Sequence, residues 1–417
     1  MAEFIADYQP EKAVLVGVIT NNNEETSEIT VAELEELAKT AGAEVIGIIT
    51  QRRPSPDSAT YIGEGKLNEL ADFCHNNEAD LVIFDDELSG SQQRNIEQAV
   101  GVRVIDRSAL ILDIFAARAV SSEGKLQVEL AQLKYLLPRL SGKGIAMSRL
   151  GGGIGTRGPG ESQLETDRRH IRRRIEKLEN ELSEVEKRRR LARERRLKDG
   201  YKSVVLVGYT NAGKSTLMNT LTDAGVLSEN KLFATLDPTA RALELPDGQT
   251  VMLLDTVGFI RKLPHHLIKA FRSTLEEAAK ADLLLIVCDI SDPECYNQLK
   301  VSEKLLSEIG SSGIPLIKVY NKCDIVDEWQ KGDENSVYIS AYEKKGIDSL
   351  LKLITAKMSD NIIKAELLIP YSGGSLISFL RENGKIISEE YTESGIKISV
   401  ITDKKYAYKF EGCEVEK

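Results

Sequence analysis

No run of apolar residues in this 417-residue chain approaches the roughly 20 needed to cross a bilayer, which argues against a membrane-spanning helix. Met1 to Pro10 carries acidic residues and no apolar core, so a secretory signal is not expected. The five cysteines, Cys74, Cys288, Cys295, Cys323 and Cys413, are scattered without a C-x-x-C pair or metal-ligand spacing. An odd number at irregular intervals fits reduced thiols in cytosol rather than a disulfide framework. Internal repeats are absent, and a glycine-rich stretch near residue 150 is the one low-complexity tract. The net charge of -10 argues against a simple nucleic-acid coat.

What is present is ordinary in bulk and uneven in detail. Hydrophobic residues at 41% and charged residues at 29% suit a soluble globular protein, and the length suggests two to four domains. Between Arg168 and Lys198, however, 14 Lys/Arg stand against six Glu, a local charge of +8 that leaves -18 for the rest. The mean composition hides that segment.

Residues 1–121 read as an N-terminal α/β domain. Val14–Ile19, Val45–Ile49, Leu81–Phe84 and Val102–Ile105 are short β-branched runs, and helical patterns between them imply a parallel sheet. Thr30-x-x-Glu33 has the form of a capping box opening a helix through Leu34 and Leu37, and Pro54 and Pro56 mark a loop. Tyr61-Ile62-Gly63-Glu64-Gly65-Lys66 precedes a helix; it is either a glycine turn or a site for an anion or second nucleotide.

Residues 122–200 predict a long antiparallel helical hairpin. Leu126, Leu130, Leu133 and Leu137 form one stripe, interrupted by Pro138. Ile171, Ile175, Leu178, Leu182 and Val185 form another, on a helix capped by Ser162-x-x-Glu165. The glycine-rich Ser141–Gly160 would be its tip. Residues 201–360 alternate strand and helix again. Residues 361–417 form a small α+β domain, with strands at Glu366–Ile369, Lys385–Ile387, Lys397–Ile401 and Tyr406–Phe410 and a helix at Leu376–Arg381.

The chemistry concentrates in the third stretch. Val204–Val207 is a strand, Leu217–Leu221 begins a helix, and Gly208-Tyr209-Thr210-Asn211-Ala212-Gly213-Lys214-Ser215, running on into Thr216, fits G-x-x-x-x-G-K-[ST] between them. Backbone N–H groups and a helix N-terminus there would cradle phosphates. Lys214 would reach the β- and γ-phosphates, and Ser215 would ligate Mg²⁺. Asp255-Thr256-Val257-Gly258 follows the strand Val251–Leu254; Asp255 suits the Mg²⁺ shell and the Gly258 N–H suits a γ-phosphate sensor. Asn321-Lys322-Cys323-Asp324 follows the strand Leu316–Tyr320. Asp324 would accept the N1–H and 2-amino protons of guanine, a donor pair adenine lacks. Lys322 would lie along the base, and Asn321 would brace the loops. Ser340-Ala341-Tyr342, after the strand Val337–Ile339, offers a backbone N–H to guanine O6. The ligand this order predicts is GTP or GDP.

These motifs resemble those of translation-factor-related GTPases, and the resemblance narrows to the HflX family. It is carried also by Glu123-Gly124-Lys125-Leu126-Gln127-Val128-Glu129-Leu130, by Leu150 through Arg174, and by Phe233-Ala234-Thr235-Leu236-Asp237-Pro238-Thr239. It covers nearly the whole chain and implies a P-loop GTPase domain following the N-terminal domain and hairpin. Its implied function is that of a cytosolic GTPase that binds the large ribosomal subunit and dissociates or rescues stalled ribosomes. By the same resemblance Thr235 is the switch threonine that ligates Mg²⁺ and contacts the γ-phosphate, favoured over Thr239; Phe233, Ala234, Leu236 and Asp237 flank it.

Phosphoryl transfer requires positioning and charge neutralisation. Phe259 stands directly after D-x-x-G and cannot orient water, so intrinsic turnover should be slow and partner-dependent. Asn211 either braces the loop or accompanies a monovalent cation such as K⁺. The catalytic set expected is thus Asn211, Lys214, Thr235 and Gly258. Arg261, Lys262, His265 and His266 follow, and those basic residues could meet RNA or protein. On the hairpin, Arg168, Arg169, Arg172 and Arg173, with Arg149 and Arg157 near the tip, are candidate contacts to ribosomal RNA. The tip lacks aromatic residues for stacking, which favours docking on shaped RNA over sequence readout. A solvated coiled-coil face is the alternative. The chain is expected to act as a monomer. A ribosome-assembly factor, or a scaffold that uses nucleotide only for stability, remains open at this point.

Overall fold

Valine- and isoleucine-rich runs form the first sheet, because flat β-branched side chains pack well between two helical layers. The computed structural model describes residues 10–20, 26–140, 159–198, 201–222, 232–233, 239–262, 278–311, 313–327, 332–359, 362–410 and 413. They divide into two units. The first holds the described residues of 10–185 together with 232–233 and 259–262, and the second holds the remainder.

In the first unit β1 (Lys12–Ile19), β2 (Glu44–Arg52), β3 (Leu81–Phe84) and β4 (Arg103–Asp106) form a parallel sheet in the order β2-β1-β3-β4. All of β3 and the middle of β1 are buried, as expected of a sheet covered on both faces. The helices are α1 (Ser27–Thr40), α2 (Glu64–Asn76), α3 (Gly90–Val100), α4 (Arg107–Arg118), α5 (Ser122–Arg139) and α6 (Pro159–Lys198), the last counted with this unit as far as Val185. Short polar residues fix their starts. Ser89 and Gln92 make a reciprocal capping box on α3, Asp106 accepts from Ala109 N at the start of α4, and Ser121 accepts from Gly124 N at α5. Pro138 lies in the last turn of α5, which stops one residue later. Arg174 on α6 makes a bidentate pair with Glu129 on α5, and Lys134 reaches Glu179 at 2.7 Å. Leu178 of the second stripe is fully buried.

Two expected caps are corrected. Helix α1 starts at Ser27, so Thr30 lies inside its first turn, with its hydroxyl donating to Ser27 O at 3.0 Å. Glu33 instead pairs with Arg107, which is 74 residues away. Helix α6 starts at Pro159, a favoured first helical residue, which puts Ser162 inside the helix. The Gly63 segment is a turn: Gly63 caps α2, and its N–H donates to the Gln51 side chain at 2.8 Å.

The second unit holds β5 (Lys202–Gly208), β6 (Thr239–Glu244), β7 (Thr250–Asp255), β8 (Leu283–Asp289), β9 (Leu316–Asn321) and β10 (Ser336–Tyr338), in the order β10-β9-β8-β5-β7-β6. Only β6 runs antiparallel. Helices α7 (Lys214–Thr222), α8 (Cys295–Glu308) and α9 (Ile347–Ser359) accompany it. The connections leave β5 toward β7 on one side and return to β8 on the other, so the order reverses at β5. Open α/β sheets bind ligands at such a reversal, beyond the carboxyl ends of the strands.

The chain ends in an antiparallel sheet of β11 (Ile362–Ile369), β12 (Gly384–Thr392) and β13 (Gly395–Asp403), ordered β11-β13-β12, with α10 (Gly374–Asn383) on one face. Residues 404–409 form a 3₁₀ helix rather than the expected strand. Phe410 enters the core and Tyr406 packs edge-on against Phe379, so the aromatics serve packing rather than a pleat. None of the five cysteines forms a disulfide. No helix among the described residues is long and apolar enough to cross a membrane.

The first unit rests on a buried charge cluster at the carboxyl ends of β3 and β4. Arg107, 2% exposed, donates to Asp85 at 2.8 Å, to Glu33, and to Thr30 O at 3.3 Å. Burial alone would raise the Asp85 carboxyl, but the cations of Arg107 and Lys262 outweigh it and hold it below its ordinary value. Removing one partner of a buried pair leaves an uncompensated charge. Arg107→Met should therefore destabilise the protein by about 3 kcal/mol in urea unfolding. A loss below about 1 kcal/mol, the size typical of an exposed pair, would contradict this account.

Candidate nucleotide site

Strand β5 ends at Gly208, whose φ of +142° and position suit glycine alone: a β-carbon there would lie 2.2 Å from Val287 O on the neighbouring strand. The chain then turns through Tyr209 to Gly213 and enters α7 at Lys214. Asn211 takes a left-handed φ of +61° with its side chain exposed, and Gly213 takes +89°. This is the strand–loop–helix setting in which successive backbone N–H groups converge.

Lys214 folds back over its own loop, donating to Gly208 O at 3.1 Å and Tyr209 O at 2.8 Å. It is 6% exposed, and burial lowers its ammonium to about 8 despite the opposing influence of Asp255. Ser215 Oγ donates to Asp255 Oδ2 at 2.9 Å, which joins the start of α7 to the end of β7. Thr256, fully buried, donates to Leu206 O at 2.7 Å and fixes the turn that follows. Gly258 lies directly against the phosphate loop. A β-carbon on it would sit 2.7 Å from Thr210 Cγ2 and 3.0 Å from Lys214 Nζ. The structure thus brings Thr210, Lys214, Ser215, Asp255 and Gly258 together.

Asn321, 2% exposed, performs the bracing read from its motif. Its amide donates to Ala212 O at 3.0 Å, and its carbonyl accepts from Ala341 N at 2.9 Å. Lys322, at φ +64°, pairs with Asp289 at 2.6 Å. Asp324 is exposed beside buried Cys323, whose N–H donates to Ile339 O. Ser340 is fully buried and accepts from Glu343 N, whereas Tyr342 is exposed. Thr216 is half-buried and Val257 buried. Sequence reading missed Asp289; an acid closing the apolar run Leu283–Cys288, next to the N-K-x-D strand, was the available signal.

Phe233 belongs to the first unit, where its ring packs edge-on against Phe115 at 4.6 Å between centroids. Ala234, Thr235, Leu236 and Asp237 lie outside the described residues, as do Arg149, Arg157, His265 and His266. Arg169, Arg172 and Arg173 are exposed on α6, with Arg168 half-buried at one edge of the group; Arg172 pairs with Glu165 at 3.5 Å. At 100° per residue these four arginines span about 140° of the helix surface, a single basic arc.

The segment after Gly258 carries partners that sequence reading did not find. Within the first unit, Phe259 and Ile260 are each 1% exposed. Arg107 donates to Arg261 O at 3.1 Å. Lys262, in a left-handed φ of +50°, places Nζ 2.6 Å from Asp85 and 2.7 Å from Asp86. Its sequence position leaves Lys262 a basic residue that could meet RNA or protein, and the structure instead commits it to this acidic pair. Its partners lie 176 and 177 residues away, beyond any local pattern.

Three family models match the chain: a GTP-binding GTPase N-terminal region over residues 28–116, a GTP-binding GTPase middle region over 118–196, and a 50S ribosome-binding GTPase over 203–322. The GTPase HflX of Caldanaerobacter subterraneus subsp. tengcongensis is 55% identical over 388 residues, covering 93% of this chain and 90% of that relative. The GTPase HflX of Escherichia coli K12 is 42% identical over 392 residues, covering 92% of each. A crystal structure of a GTP-binding protein from Sulfolobus solfataricus in complex with GDP is 28% identical, covering 84% of this chain and 99% of that one, with a TM-score of 0.44.

The depressed Lys214 ammonium gives the site a proton signature. At about pH 8.5 much of it is neutral, and a phosphate oxygen bound beside it would favour the charged form. Calorimetric titration with GDP in buffers of different ionisation enthalpy should show proton uptake at about pH 8.5 and little at about pH 7. Equal proton exchange at both values would contradict the buried position of Lys214.

Proposed function

The chain belongs to the HflX family of GTPases, and on that premise we propose that it is a GTP-driven switch that binds the large ribosomal subunit and dissociates or rescues stalled or inactive ribosomes. Hydrolysis of GTP to GDP and phosphate is the activity of the family. The single observation that carries the reading is the assembled corner of Lys214, Ser215, Asp255 and Gly258 in a domain whose family model is described as a 50S ribosome-binding GTPase.

In this reading the loop Gly208–Ser215 cradles the phosphates, and Lys214 leaves its loop carbonyls for the β- and γ-phosphates. Ser215 and Asp255 supply the hard oxygen donors that suit Mg²⁺, and their 2.9 Å contact shows that both reach one point. Thr235 would complete that set. When bound, the metal neutralises charge developing on the phosphates. Asp324 selects guanine, Lys322 lines the base with Asp289 fixing its ammonium, and the loop after β10 is held beside it by Asn321, which takes the Ala341 N–H expected from sequence to face O6. Gly258 N–H reports the γ-phosphate. The basic arc of Arg168, Arg169, Arg172 and Arg173, extended by Arg149 and Arg157, meets ribosomal RNA through phosphate contacts. Cytosolic location and action as a monomer belong to the same reading.

Phe259 is buried and apolar, so slow intrinsic hydrolysis and stimulation by the ribosome follow. Large ribosomal subunits should raise kcat at least tenfold, by analogy with the larger gains seen when a partner completes a GTPase site. Lys214→Ala should abolish that stimulated activity. An isolated protein as fast as the subunit-bound one would contradict the proposal. The same assay in K⁺ and in Na⁺ at fixed ionic strength tests Asn211: faster turnover in K⁺ places a cation beside it, and equal rates leave it as a brace.

A further inference from the structure

Hydroxyls around the phosphate loop are nearly all committed. Ser215 donates to Asp255, Thr256 to Leu206 O, and Thr220, one turn into α7, to Ala341 O at 2.8 Å. Thr210 stands apart from these three. It is 6% exposed, yet its Oγ1 has no hydrogen-bond partner among the described residues. A threonine commonly satisfies its hydroxyl on nearby backbone carbonyls. Here the two adjacent ones, Gly208 O and Tyr209 O, accept from the Lys214 ammonium and not from Thr210. An orphaned buried hydroxyl costs folding free energy that valine or alanine would avoid, so its presence in a native site calls for an explanation.

Its location supplies one. The point where a β-carbon of Gly258 would stand lies 2.7 Å from Thr210 Cγ2, 2.8 Å from Thr210 Cα and 3.0 Å from Lys214 Nζ. Thr210 therefore lines the corner where the phosphate-loop ammonium meets the D-x-x-G glycine, with its methyl and Cα against Gly258; these two groups flank the γ-phosphate in the reading above. The attacking water must enter at that corner, in line with the bond that breaks. The residue that follows Gly258 offers it nothing, because Phe259 is an apolar side chain 1% exposed.

We propose that the Thr210 hydroxyl holds the attacking water for hydrolysis, a role that the sequence position after D-x-x-G does not fill in this chain. A threonine hydroxyl has one donor and two acceptor sites. Its oxygen accepts a hydrogen bond from the water, and its hydrogen donates to a γ-phosphate oxygen. Both bonds fix the water at one distance and angle, which is the main catalytic need of this reaction. The water oxygen forms the new bond to the γ-phosphorus. The bond from that phosphorus to the bridging oxygen breaks, and its electron pair leaves with GDP. The water's protons pass to the phosphate product and to solvent, and Thr210 keeps its own. It is a weak base and acts by orientation, not by proton abstraction.

The proposal rests on the phosphate-loop reading, and the test separates the two. The full chain with Mg²⁺ is compared with Thr210→Val, which keeps the shape and deletes the hydroxyl, and with Thr210→Ser, which keeps the hydroxyl. Single-turnover GTP hydrolysis, affinities for GDP and for a non-hydrolysable GTP analogue, and thermal unfolding are measured. Thr210→Val should hydrolyse GTP at least tenfold more slowly, within the range for loss of one preorganised hydrogen bond. GDP affinity should stay within about twofold, because the loop backbone and Lys214 supply binding, while affinity for the analogue falls less than the rate does, because the bond to the γ-phosphate strengthens in the transition state. Thr210→Ser should regain most of the rate, and Thr210→Val should melt no lower than the parent chain. Hydrolysis by Thr210→Val at the parent rate overturns the proposal and leaves the phosphate loop intact. Equal slowing in both variants also overturns it, because shape rather than the hydroxyl would then matter. A loss of analogue affinity as large as the loss of rate overturns it too, because the hydroxyl would then be a ground-state phosphate ligand only. A parent chain that binds neither nucleotide would remove the phosphate-loop reading itself.

Discussion

The Asn321 carboxamide donates to Ala212 O and accepts from Ala341 N, so a single buried side chain ties the phosphate loop to the loop after β10. Neither bond is replaceable by a hydrophobic residue without leaving a buried backbone group unpaired. The brace also dictates its neighbour: a β-carbon on Gly213 would lie 2.2 Å from Asn321 Nδ2. With the loop pinned there, Lys214 begins α7 at the carboxyl edge of β5, within reach of its own loop carbonyls and of the turn bearing Gly258. The phosphate end and the base end of the site are therefore one mechanical piece. A nucleotide that spans them meets groups whose spacing is already set, which reduces the ordering cost of binding.

A second constraint begins one residue beyond Gly258. Buried Phe259 and Ile260, the Arg107 bond to Arg261 O and the two ion pairs of Lys262 fix residues 259–262 within the first unit. A left-handed lysine is an uncommon conformation, and the acidic pair Asp85 and Asp86 offsets its cost. Arg107 serves both purposes: it neutralises the carboxylates at the sheet edge and holds the incoming backbone. The carboxyl edge of the N-terminal sheet is thereby where residues 259–262 are secured.

The phosphate loop, D-x-x-G and N-K-x-D were legible because each is contiguous and sits at a strand end, so local sequence contains most of its geometry. Strands rich in valine and isoleucine were legible for the same reason. Pairings across long separations were not. Thr30 and Glu33 have the spacing of a capping box, but Arg107 draws Glu33 into the buried cluster and the helix starts earlier at Ser27. Lys262 looked like an open basic residue because Asp85 and Asp86 are nowhere near it in sequence. Tyr406–Phe410 alternated like a strand, yet tertiary packing on Phe379 favoured a tight helical turn. The Thr210 hydroxyl was visible as a residue, but its lack of a partner is a property of the folded loop alone.

These elements are those of an HflX-family GTPase with a 50S ribosome-binding GTPase domain, and in the proposed function its γ-phosphate state governs attachment to the large ribosomal subunit. The most direct test is sedimentation of ribosomes with the full chain in the presence of a non-hydrolysable GTP analogue or of GDP. The account predicts protein on large subunits, with more free subunits, in the analogue, and protein left in the supernatant in GDP. Equal attachment in both nucleotides, or none in either, would contradict it.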